Sequence, residues 1–75
     1  MRTMYLIEHD VINRGSGAWS LVGYSRVDYC VKNLVMKSMK NQGYQYNKSE
    51  KAYILKTDPV EFCFDKAVTV KSYAI

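Results

Sequence analysis

Apolar and polar side chains alternate along the first dozen positions. Between Thr3 and Ile12, Tyr5, Ile7, His9 and Val11 fall on one side of an extended chain, and Met4, Leu6, Glu8 and Asp10 on the other. β-Branched and aromatic residues dominate, so the segment predicts a strand, and apolar residues on both sides at its start predict a central one. Asn13-Arg14-Gly15-Ser16-Gly17 follows. Its glycines permit positive φ and its asparagine tolerates it, which predicts a turn. A second strand from about Ala18 to Tyr24 then closes an antiparallel hairpin, with Trp19, Leu21 and Gly23 alternating against Ala18, Ser20, Val22 and Tyr24.

Beyond Tyr24 the period changes from two to about 3.6. Ser25 can cap a helix start, and Asp28 suits the positive end of the helix dipole. The helix is expected to reach Gln42, with Gly43 as a left-handed terminator. Val27, Val31, Leu34, Val35 and Ser38 form an apolar stripe flanked by Cys30 and Met39, and this stripe is expected to pack on the sheet. Arg26, Asn33, Lys37 and Lys40 lie opposite. Tyr29 and Met36 fall off the stripe near Lys32 and Lys40, and are expected to face outward as a contact pair.

Tyr44-Gln45-Tyr46-Asn47 and Lys51-Ala52-Tyr53-Ile54-Leu55 predict a second hairpin, joined by Lys48-Ser49-Glu50. Thr57-Asp58-Pro59 breaks the pattern, since proline cannot donate to a sheet ladder. Val60 to Phe64 predicts a short strand, Asp65-Lys66 a turn, and Ala67 to Ile75 a last strand. The expected order is β-β-α-β-β followed by one or two short strands. This is an α+β fold, one helix packed on a small antiparallel sheet, as a single domain over residues 1–75.

Composition supports a folded chain, because 48% of its 75 residues are hydrophobic, too many for a disordered segment. Two cysteines, Cys30 and Cys63, fit reduced, buried thiols better than a disulfide framework. No apolar run approaches the roughly 18 residues of a membrane span, and Glu8, His9 and Asp10 interrupt the amino-terminal apolar patch where a signal peptide would need continuity. The expected location is therefore the cytoplasm. The formal charge is +4, and it is concentrated. Residues 26–56 hold Arg26, Lys32, Lys37, Lys40, Lys48, Lys51 and Lys56 against Asp28 and Glu50, a surplus of five. Such a middle can attract nucleic acid, an acidic protein or a membrane surface, or serve solubility alone.

Catalytic chemistry finds little support. His9-Asp10 with Cys30 offers a thiol and a base, but Cys30 beside an apolar stripe reads as a small buried hydrophobe. Glu8 and Asp10 share a strand face without a third acid and read as solvated. Arg14-Gly15-Ser16-Gly17 can present N–H groups and a guanidinium to an anion, yet lacks the ending of a P-loop, and hairpin geometry alone accounts for it. No metal or cofactor site is expected.

The seven tyrosines carry more information. Tyr44, Tyr46 and Tyr53 cluster in the second hairpin among Lys48, Lys51 and Lys56, a combination that suits a protein interface or stacking on nucleic-acid bases, or simply a core face with wet hydroxyls. Trp19-Ser20-Leu21-Val22-Gly23-Tyr24-Ser25 behind a short first strand, followed by a helix and a tyrosine-rich hairpin, resembles small uncharacterised early proteins of tailed bacteriophages. The resemblance covers the layout of the first two thirds of the chain. It implies a small non-enzymatic protein that binds and redirects a host factor, acting in the host cytoplasm. The expected function is thus a binding module for another protein, with Tyr29, Lys32, Met36, Lys37, Lys40, Tyr44, Tyr46, Lys48 and Lys51 as the partner surface. A small basic binder of single-stranded nucleic acid is the alternative, and an exposed edge strand makes a homodimer plausible.

Overall fold

The first and last strands are partners along their whole length. In the computed structural model, which describes residues 2–75, β1 (Thr3–Asn13) pairs antiparallel with β5 (Phe64–Ala74), from Thr3 opposite Ala74 to Asn13 opposite Phe64. Backbone bonds between Arg2 and Ile75 extend the ladder at one end. β2 (Trp19–Val27) flanks β1, and β4 (Ala52–Leu55) flanks β5, with the short β3 (Gln45–Asn47) outside it. The five antiparallel strands lie in the order β2-β1-β5-β4-β3, and a single helix, α1 (Tyr29–Gln42), crosses one face. The α+β architecture read from the sequence is the one observed.

The register assigns the faces. Tyr5, Ile7, His9 and Val11 of β1 share a face with Val70, Val68 and Lys66 of β5 and Tyr53 of β4. Ile7, Val68 and Met39 of α1 form the buried centre, with Val27, Val35, Met36, Tyr44, Tyr53 and Val70 packed around them. Burying each such side chain contributes about 1.5–3 kcal/mol, so a centre this small leaves little margin.

Four local expectations are corrected. Ser25 does not cap the helix. Pairing of Val27 with Tyr5 keeps β2 extended through Val27, and Asp28 becomes the N-cap, accepting from the Val31 N–H at 2.8 Å. The helix also presents a different face. Val35, Met36 and Met39 turn inward, while Val31 and Leu34 of the expected stripe are exposed, and so are Ser38 and Cys30. Met36 therefore packs against the core and does not face outward. Both cysteines are free and exposed, not buried.

Finally, β5 is one continuous strand from Phe64. Asp65 and Lys66 sit within it opposite Ile12 and Val11, and residues 60–63 belong to the preceding loop and do not form a strand. Asp58 organises that loop: its side chain accepts from the Val60 N–H at 2.9 Å and its carbonyl from the Phe62 N–H at 2.9 Å. Gly43 ends the helix in the left-handed region, as expected (φ 101°). Among the described residues no helix is long and apolar enough to cross a membrane.

Candidate functional site

The helix is too short to cover the sheet. Its 14 residues span about 21 Å, whereas the 11-residue strands β1 and β5 span about 36 Å. α1 starts beside Tyr5 and ends where Met39 meets Ile7 and Val68, so the same sheet face is bare beyond His9. The molecule is elongated as a result, 46 × 24 × 21 Å.

The bare part forms an open trough of about 460 Å³. Val11 of β1, Val22 of β2, Phe64 of β5 and Tyr44, just past the helix end, give it apolar walls, and His9 and Lys66 stand at its polar edge. Each wall has a local cause. A β-bulge in β2 between the pairs His9–Gly23 and Asp10–Leu21 leaves Val22 as an extra residue and brings it to this side. The Gly43 cap reverses the chain so that Tyr44, whose N–H donates to the Met39 carbonyl, packs beside the core. Burial pushes the Tyr44 phenol above its ordinary pKa, so the hydroxyl stays neutral. Phe62 meets Phe64 at a tilt of 58°, centroids 5.4 Å apart, and extends the aromatic surface into the loop.

A second, wider hollow of about 640 Å³ lies at the β3–β4 hairpin, lined by Ile12, Tyr46, Glu50, Lys56 and Asp65 among others. Both hollows open broadly to solvent. Neither is lined by a cysteine, serine or threonine among the described residues. Among the described residues no three metal-ligating side chains converge.

The residues expected to form one partner surface are dispersed. Tyr29 is exposed at the helix start, tilted against Tyr5 with centroids 6.3 Å apart. Lys32 is occupied there, its ammonium 4.9 Å from the Tyr5 ring and 4.7 Å from the Tyr29 ring. Met36 is in the core. Lys37 and Lys40 are exposed on the helix. Tyr44 lines the trough, whereas Tyr46 on β3 is exposed and meets Tyr53 edge-on at 5.0 Å, beside the exposed turn that carries Lys48 and Lys51. Sequence reading missed Val11, Val22, Phe64 and Lys66 as neighbours. Their shared strand phase was visible for β1, but the bulge and the length of β5 were not.

The remaining candidates serve the fold. Arg14 is not free for an anion: its guanidinium bonds Asp65, the Phe62 carbonyl at 2.9 Å, and both the hydroxyl and carbonyl of Thr57. Glu8 faces Lys71 at 3.8 Å. Asp10, half-buried on the face away from the helix, has its pKa raised by desolvation and by Glu8. No family model, curated protein or solved structure matches the chain.

Proposed function

We propose that this chain is a non-enzymatic binding module for another protein, and that the trough beyond the helix end is its principal contact. The observation that carries this reading is the open trough lined by half-buried Val11, Tyr44 and Phe64 and by Val22, which is 69% exposed in a domain whose fully buried centre is small. Leaving such surface wet costs about 25 cal/mol per Å², which a partner's apolar side chains would recover. Lys66 borders the trough, and Lys40 precedes by one turn the cap that positions Tyr44. Asp10 and His9 line the trough as well, so the fitting partner is an apolar segment with one carboxylate placed to meet Lys66. A host or defence factor bound and inhibited by a phage-encoded protein is the setting consistent with the layout resemblance.

The test places a photo-crosslinking residue at position 22, with position 33 on the exposed helix as control, in the native host. A discrete adduct at 22 with a protein other than this chain, competed away by excess unlabelled chain and lost in Lys66→Glu, supports the reading. Equal labelling at both positions removes it.

A second reading has one observation in its favour: exposed Tyr46 stands beside exposed Lys48 and Lys51, an aromatic with cations that suits stacking on single-stranded nucleic acid. Binding of this kind weakens steeply with salt. A mobility-shift titration with an oligonucleotide at low salt decides it, since no retardation there eliminates the reading.

A further inference from the structure

The two edges of the sheet are unlike. β3 is three residues long, ends in polar residues, and is followed directly by charged Lys48 and Glu50, which blunts it against further pairing. β2 is nine residues long and carries Trp19, Leu21, Val22 and Tyr24 exposed, with Arg26 as its only charge and no proline. Among the described residues its outer row of backbone groups has no partner strand, since β2 ends the sheet order.

We infer that β2 pairs antiparallel with β2 of a second copy of this chain, joining two five-stranded sheets into one. The inference rests on self-complementarity that the bulge creates. Trp19, Leu21, Tyr24 and Arg26 stand opposite Ile12, Asp10, Glu8 and Leu6 of β1, so all four lie on the sheet face away from the helix. Ser20 and Ser25 stand opposite Val11 and Ile7, on the helix face. A two-fold axis between Val22 and Gly23 then sets Trp19 against the second copy's Arg26, Leu21 against its Tyr24, and Ser20 against its Ser25. In every pair both members share a face. A regular strand cannot satisfy this register, because Trp19 and Arg26 would point to opposite faces. With the extra residue, each unit repeats twice: an arginine over an indole, an aliphatic beside a phenol ring, and two hydroxyls within bonding reach.

Charge does not prevent the association. Each copy carries +4, but the two Arg26 side chains would be seven strand positions apart, about 23 Å, well beyond the screening length of about 8 Å at physiological salt. The contact leaves both helices on one side of the joined sheet and brings the two Val22 residues, each on a trough wall, next to the axis. It does not depend on the trough's binding another protein.

Sedimentation of the purified chain over a wide concentration range is the first test, with the molar mass expected to double as concentration rises. Added salt should leave the midpoint unchanged or lower it, opposite to an association driven by the lysines. Leu21→Lys with Tyr24→Lys, both at exposed positions, should weaken self-association about tenfold or more while circular dichroism stays unchanged. Register is read separately in a Cys30→Ser, Cys63→Ser background: mild oxidation of the Leu21→Cys, Tyr24→Cys double variant should give covalent dimer in excess of either single variant. A chain that stays monomeric throughout overturns the proposal, as does a dimer insensitive to the lysine substitutions. If position 22 yields only an adduct of the chain with itself while the mass still doubles, the partner reading has failed and the self-pairing stands.

Discussion

Arg14 and Asp65 lie 51 positions apart in sequence, yet Arg14 Nη2 donates to Asp65 Oδ1 at 2.6 Å and Arg14 Nε donates to the same oxygen at 3.1 Å. The pair joins the β1–β2 turn to the start of β5, and Thr57 closes the arrangement through its N–H to Asp65 Oδ1 at 3.2 Å and its hydroxyl to the Phe64 carbonyl. With only 29% and 17% of the two side chains exposed, solvent screens the pair incompletely. Removing one partner strands the other's hydrogen-bonding groups. Asp65→Asn is expected to cost about 1–3 kcal/mol, and Arg14→Ala at least as much because it also releases Thr57 and the Phe62 carbonyl. Urea unfolding of each variant and of the double variant checks this. Losses that simply add would mean that the two side chains do not interact.

The same pair sets a pH dependence. The Arg14 hydrogen bond, followed by the Thr57 N–H and nearby cations, holds the Asp65 pKa below its ordinary value against the opposing effect of burial. A depressed carboxylate stabilises the fold above its unfolded pKa of about 3.9, and that contribution disappears as pH falls through the lower folded value. Asp10 acts in the opposite sense: its raised pKa means that the folded form keeps a proton longer, so ionising it as pH rises removes stability. Asp65→Asn should therefore be less stable than the parent at neutral pH and converge with it in acid. Asp10→Asn should be slightly more stable at neutral pH and also converge. Urea midpoints recorded from about pH 2 to pH 7 separate the two; an Asp65→Asn deficit that persists at the acid end contradicts the assignment.

Lys51 holds φ at 55° in the turn between β3 and β4. A side chain in the left-handed region crowds its own carbonyl, at a cost of about 1 kcal/mol that glycine avoids. Lys51→Gly is expected to raise stability by about 0.5–1 kcal/mol and to leave the hairpin register unchanged, although it also removes a cation beside Tyr46. Thermal unfolding measures it. A fall in the melting temperature would show that the turn is not under backbone strain.

The parts of this fold that were legible in the sequence are those with one strong local signal. Alternation gave β1, the glycine-rich turn gave the first hairpin, and Gly43 gave the helix end, where its N–H bonds the Lys40 carbonyl. Asp65-Lys66 misled because two charged residues between apolar runs read as a turn. Arg14 removes the reason, by neutralising Asp65 from a distance that no local window spans. The trough was illegible for a related cause: it exists because a helix is shorter than the strands it crosses, a relation among elements and not among neighbouring residues. Of the expected partner residues, only Tyr44 lines it, and tyrosine clustering rather than position drew attention to that residue.

α1 has two apolar faces, and hydrophobicity alone does not choose between them. One holds Val31 and Leu34, the other Val35, Met36 and Met39. Long strand pairing through Val27 and the cap at Asp28 fix where the helix enters, which sets Lys32 over Tyr5 and brings the methionine face down on Ile7 and Val68. Met39 is 4% exposed and Leu34 68%, so the two faces should respond to truncation very differently. Met39→Ala is expected to cost about 2–5 kcal/mol, enough to unfold a domain of this size. Met39→Leu, which keeps the volume, should cost less than about 1.5 kcal/mol and keeps the comparison measurable. Met36→Ala, at a half-buried site, belongs between these, whereas Leu34→Ser should stay within about 0.5 kcal/mol of the parent. Urea midpoints give the order directly. If Leu34→Ser proved as damaging as Met39→Ala, the helix would be packed through its other face. The sheet would then be covered differently, and the trough walled by Tyr44 would not exist in this form.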